Sequence, residues 1–151
     1  MSRGWERQAF IQVFTTSPRD GGVTHLAAVG VTLSPGGEPQ IVPVQPYPER
    51  IAILQPRPGD RLRGGTLHVT GFGLASFEQT LLVEVLDADG KPIGSQPVIV
   101  GAPEPGEVGP FEADVTYTLS AAGPGRVVVR DVSPAFGGDV HRASVEIALE
   151  P

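Results

Sequence analysis

The chain has 151 residues, a net charge of −6, 40% hydrophobic residues, 20 glycines, 16 prolines and no cysteine. That length and apolar content suit one folded domain, or one domain with an appendage, and exclude a disordered tail. The acidic balance argues against nucleic-acid binding, and the lack of cysteine excludes a disulfide framework or a thiolate metal site.

Asparagine is absent, methionine occurs only at position 1, and ten of the eleven basic residues are arginine. Such usage fits a high-GC genome, a hot habitat, or both. Arg50, Arg57, Arg61 and Arg63 form one small basic cluster, read as solvated charges flanking a strand and a turn. No stretch is long and apolar enough to cross a membrane as a helix, so no membrane insertion is expected. The first ten residues lack the apolar core of a secretory signal. The protein is therefore expected either to stay in the cytoplasm or to have lost a leader.

Residues 8–14 alternate, with Phe10 and Gln12 on one face and Ile11 and Val13 on the other. A turn follows at 17–22, then a longer strand at 23–33 with Gly30 as a candidate bulge. A second turn leads to a short strand at 40–44, where Pro43 suits an edge. Prolines 43, 46 and 48 make residues 46–49 a stiff connector. Residues 1–45 thus read as a β-meander or arm, too short to be stable alone. It must pack on the following domain or on another chain. Trp5, Phe10 and Phe14 carry that packing in either of two ways. They staple the meander onto the sandwich, or the arm docks on a neighbour by adding a strand to an exposed edge.

From Arg50 onward seven short strands are expected: 51–54, 66–71, 79–87, 93–100, 111–119, 126–132 and 143–149. The clearest is 111–119, where Phe111, Ala113, Val115, Tyr117 and Leu119 alternate with polar residues. In 66–71, Leu67 and Val69 point inward and His68 and Thr70 outward. Pro97 makes 93–100 an edge strand. Residues 74–89 hold no glycine or proline, and Ser76 to Gln79 imitates a capping box, so a helix is the alternative there. Val83 and Val85, with a turn directly after, favour a strand. The expected fold is all-β: an immunoglobulin-like antiparallel β-sandwich over 50–151 with an N-terminal β-meander or arm.

Residues 50–149 resemble the immunoglobulin-like domain of bacterial spore germination proteins, a domain found attached to GerMN domains in surface lipoproteins. The resemblance rests on 51–60, on 66–78 with Gly71, Phe77 and Glu78, and on 83–90 with Asp87 and Gly90. Residues 109–117 and 131–139 fit as well. It implies an antiparallel sandwich, an extracytoplasmic or cell-surface setting and a non-catalytic role, with no cofactor.

Searches for chemistry along the chain return structural readings. Asp87, Asp89 and Gly90 start like a calcium loop, but the twelfth position is Val98 rather than a closing Glu. Asp-Gly between two strands is a hairpin turn. His25, His68 and His141 stand in no metal-ligand spacing. No G-x-S-x-G elbow occurs, and Ser133, followed by proline and glycine, suits a turn. Glu78 is expected to be buried or half-buried, anchoring loop amides. Gly71 and Gly73 flank Phe72 with no helix following, which does not make a phosphate cradle.

Two functional classes follow. One is a non-catalytic interaction module of the bacterial cell envelope, binding a protein or wall component through loops at one end of the sandwich. Phe72 and Phe136, expected in glycine-rich loops, are its candidate contacts. The other is a structural assembly protein, such as a phage capsid decoration protein or filament subunit in a virion, forming a homo-oligomer through its N-terminal segment.

Overall fold

The structure is a computed structural model, and it describes residues 7–33, 39–41, 50–75, 78–134 and 137–151. The described residues contain eleven strands and no helix. Trp5, Phe77, Phe136, Pro43 and the connector 46–49 lie outside them.

The N-terminal strands are β1 (Arg7–Thr16), β2 (Val23–Leu33) and β3 (Pro39–Ile41). Then come β4 (Ile51–Gln55), β5 (Arg61–Leu62), β6 (Thr66–Gly73) and β7 (Thr80–Leu86). The last are β8 (Pro92–Ile99), β9 (Gly109–Thr116), β10 (Gly123–Val132) and β11 (Asp139–Leu149).

A large sheet runs β1-β2-β11-β10-β7-β8, with β3 added beside β2 and β5 beside β11; a small sheet runs β4-β6-β9. All pairings are antiparallel except that of β5 with β11. Period-two patterning builds both inner faces. Leu67 and Val69 of β6 and Phe111, Ala113 and Val115 of β9 meet Leu81, Val83 and Val85 of β7 and Val127 and Val129 of β10, all buried. Ala143, Ile147 and Leu149 of β11 complete the core.

None of the described residues in 74–89 is helical, and β7 takes up 80–86. The β-branched residues Val83 and Val85 bury fully in the sandwich, and that packing overrides the local capping pattern. From Arg50 onward the described residues hold eight strands rather than seven. The extra one, β5, has two residues and no period of its own. It pairs with Ala148 and Leu149, and the buried Tyr117 phenol secures it by donating to Leu62 O (3.4 Å) and Glu150 O (3.1 Å). Gly30 is not a bulge, because the β1–β2 register runs unbroken past it; the shift falls between Thr15 and Thr16, beside the turn. Pro97 sits on β8, the end strand of its sheet.

The N-terminal hairpin joins the large sheet through β2, which pairs Ala27 with His141 and Leu26 with Arg142.

Candidate functional site

Strand alternation gives the small sheet an outer face. In β6, Leu67, Val69 and Gly71 point into the core, so Thr66, His68, Thr70 and Phe72 point out. Their neighbours on β9 are Thr116, Asp114, Glu112 and Pro110. Phe72 is 47% exposed and lies between Pro110 and Ala52; Leu54, at the bulge of β4, is 53% exposed. Phe72 therefore belongs to a strand and not to a loop.

Beside this apolar end, His68 Nδ1 is 2.7 Å from Asp114 Oδ1 and its Nε2 is 3.3 Å from Glu112 Oε1. The Asp114 hydrogen bond, with the two negative charges, raises the His68 pKa above its ordinary value. Such a face offers an aromatic ring and a row of hydrogen-bonding groups to a ligand that lies flat on it. Among the described residues no group of three or more His, Asp or Glu is placed to hold a metal ion. Nor do they form any helix long and apolar enough to cross a membrane.

The second surface is the β1–β2 hairpin. Ile11, Val13 and Phe14 are 47%, 64% and 55% exposed. Phe10 lies on the same strand, paired with Gly30. The turn of this hairpin is fastened to the large sheet. Ser17, 3% exposed, donates its hydroxyl to Glu146 Oε1 at 2.5 Å. Arg126 Nη2 donates to Asp20 Oδ1 at 3.2 Å and to Glu146 Oε1 at 3.1 Å.

Further along that outer face the charges continue as pairs. Arg130 reaches Glu84 and Asp139, each at 3.0 Å, and Arg142 reaches Asp139 at 2.9 Å. A groove of about 310 Å³ runs over them, lined by Gly22, Glu84, Arg126, Arg130 and Arg142 among others. Each of these guanidiniums faces a carboxylate, so the row holds strands together and presents no surplus charge to an anion.

His141 lies on β11 opposite Asp131 of β10. Burial, helped by the charge of Arg50, lowers its pKa to about 4. The folded chain thus takes up this proton less readily than the unfolded chain, whose histidine titrates near 6.5. Stability from this site is full above pH 6.5 and is lost as pH falls toward about 4. Thermal melts between pH 7 and pH 5 are expected to show a falling midpoint in the wild type and a flatter dependence in His141→Gln. Equal slopes would show that His141 is not the group responsible. The raised His68 works in the opposite sense, and its contribution is lost only as pH rises above 6.5.

The structure does not bring the three histidines together: His25, His68 and His141 stand on β2, β6 and β11. Asp87 closes the β7–β8 hairpin, its Oδ1 accepting the amides of Asp89 (3.0 Å) and Lys91 (2.9 Å). Gly90 supplies the positive φ of 79° that this turn needs. Ser133 is buried in a turn where its amide donates to Gly138 O and its carbonyl accepts from Gly137. The expectation for Glu78 is overturned, because its side chain is exposed. What matters there is backbone: φ is 48°, and its carbonyl accepts the Thr80 hydroxyl at 3.1 Å. Sequence reasoning missed the Ser17–Asp20–Arg126–Glu146 latch. Its members are 106 and 129 positions apart in the two longest links, and no local pattern connects them.

The family model for the immunoglobulin-like domain of bacterial spore germination matches residues 50–138, more than half of the chain. The match begins just before β4 and stops just before β11. No curated protein is a significant match to the chain.

Proposed function

The chain belongs to the immunoglobulin-like domain family of bacterial spore germination, and from that premise we propose that it is a non-catalytic interaction module of the bacterial cell envelope, binding a protein or wall component. The observation that carries this reading is the outer face of the small sheet, which carries the exposed Phe72 and Leu54 and, further along β6, the His68–Asp114–Glu112 group. An aromatic ring held by two neighbouring strands loses little side-chain entropy on contact. The flanking carboxylates and imidazole supply directional hydrogen bonds.

Co-sedimentation of the full chain with purified peptidoglycan sacculi, and with detergent-solubilised envelope proteins on beads, tests it. Phe72→Ala should weaken binding about tenfold, as loss of a contact aromatic does. Retention by neither material, or retention unchanged in Phe72→Ala, would sink this reading of the face.

A structural assembly role is the second reading. It is favoured by β1, whose outer edge pairs with no strand among the described residues.

A further inference from the structure

The two sheets differ in width. The large one is six strands across and the small one three. On the β8 side they close on each other. Thr118 N–H donates to Ile93 O at 3.4 Å and Gly101 N–H to Pro110 O at 2.8 Å. Gly94 permits that approach, since a Cβ there would lie 2.4 Å from Thr116 O. On the other side the chain after β4 turns back to pair with β11 as β5. The β1–β2 hairpin projects past that crossing.

Two of the other end strands among the described residues, β8 and β4, are guarded in recognisable ways. β8 carries Pro92 and Pro97, which cannot donate to a further strand. β4 has five residues, a bulge at Leu54 and Pro56 directly after. β1 differs on every count. It has ten residues, no proline, an unbroken register to Thr15, and no charged residue from Gln8 through Pro18. Three exposed apolar side chains fall within four of its positions.

We infer that β1 pairs antiparallel with the β1 of a second copy of this chain, joining the two large sheets across a twofold axis. A register centred on Gln12 sets Ile11 of one copy beside Val13 of the other, and Arg7 opposite Ser17. No like charges meet along the seam, although each chain carries a net −6. A charged peptide would gain nothing from this edge, whereas an identical uncharged strand matches it in length and in side-chain pattern. A β1–β1 pairing about a twofold axis uses the same edge on both copies and so closes as a dimer. The seam does not involve Phe72, so this inference stands apart from the envelope-binding face.

The experiment is the solution mass of the full chain by light scattering on a sizing column, from micromolar to hundreds of micromolar. Twice the chain mass is expected for the wild type and for Ile99→Lys on the guarded edge β8, and a single-chain mass for Val13→Lys with an unchanged circular dichroism spectrum. Gln12→Cys supplies a second readout in a chain with no natural cysteine. Under mild oxidation it should cross-link to its own kind in high yield, while Ile99→Cys should not. A monomer at every concentration overturns the inference, as does a dimer that survives Val13→Lys, a mass above two chains, or a Gln12→Cys yield no higher than that of Ile99→Cys. A monomer that still binds sacculi through Phe72 would overturn the dimer alone and leave the envelope reading in place.

Discussion

Gly71→Ala is expected to cost about 3 kcal/mol or more, as overpacking in a rigid core does. That is a large share of the roughly 5–15 kcal/mol that keeps a domain folded. The melting midpoint should drop by roughly ten degrees or more. The reason is a collision on two sides. A Cβ at position 71 would lie 2.1 Å from Ala52 O and 2.7 Å from Phe111 Cζ. Neither neighbour can yield cheaply. The Ala52 carbonyl belongs to the β4–β6 pairing, which sets Ile53 against Gly71. Phe111 is 3% exposed and wedged in the core. Adding Phe111→Leu should relieve the ring contact but leave the carbonyl contact, so the double variant should recover part of the loss and no more. Denaturant titration of the four members of that cycle checks it. A Gly71→Ala loss below 1 kcal/mol would mean that β4 does not pack against β6 as described.

This glycine also shows what the sequence makes legible. Gly71, Phe72 and Gly73 read one way as a glycine-rich loop around an aromatic contact. The same letters make an inward-outward-inward strand whose two inward positions are too crowded for a side chain. Period-two alternation marks β6 and β9 well, because each buries one face over many residues. Proline placement marks β8 as an end strand for the same kind of reason, a missing donor. By contrast, β5 is two residues long and held by the far end of the chain, so it has no pattern to read. Glu78 looked like a buried anchor, yet its position needed a positive φ and not a carboxylate. Phe72 is legible as an exposed aromatic, although it sits on a strand and not in a loop. Its neighbours His68, Glu112 and Asp114 are not legible, since only the β6–β9 register places residues 46 positions apart side by side.

Arg126→Met should loosen the N-terminal hairpin while leaving the sandwich folded. Methionine keeps most of the stem's apolar volume but removes the guanidinium. That group, 4% exposed, is what joins Asp20 of the hairpin turn to Glu146 of β11. Hydrogen exchange should separate the two units, with amide protection in 11–28 falling about tenfold or more while Val83, Val127 and Val129 keep theirs. Acid should mimic part of this in the wild type. The backbone amide of Gly22 foremost, and then Arg126 and Arg19, lower the Asp20 pKa to about 2 from 3.8. The Glu146 pKa is lowered too, first by the Ser17 hydroxyl and then by Arg126. For carboxyls lowered in the fold, the stabilisation is full above the unfolded value and disappears as pH falls through the folded one. The hairpin should therefore hold at pH 5 and loosen between about 4 and about 2. Because the Gly22 amide survives in Arg126→Met, the variant should keep a weakened acid response rather than lose it. If protection in 11–28 is the same in both proteins at neutral pH, the Arg126 guanidinium is not what holds the hairpin, and the Ser17–Glu146 and Gln12–Asp139 hydrogen bonds must carry it with the backbone pairs Ala27–His141 and Leu26–Arg142.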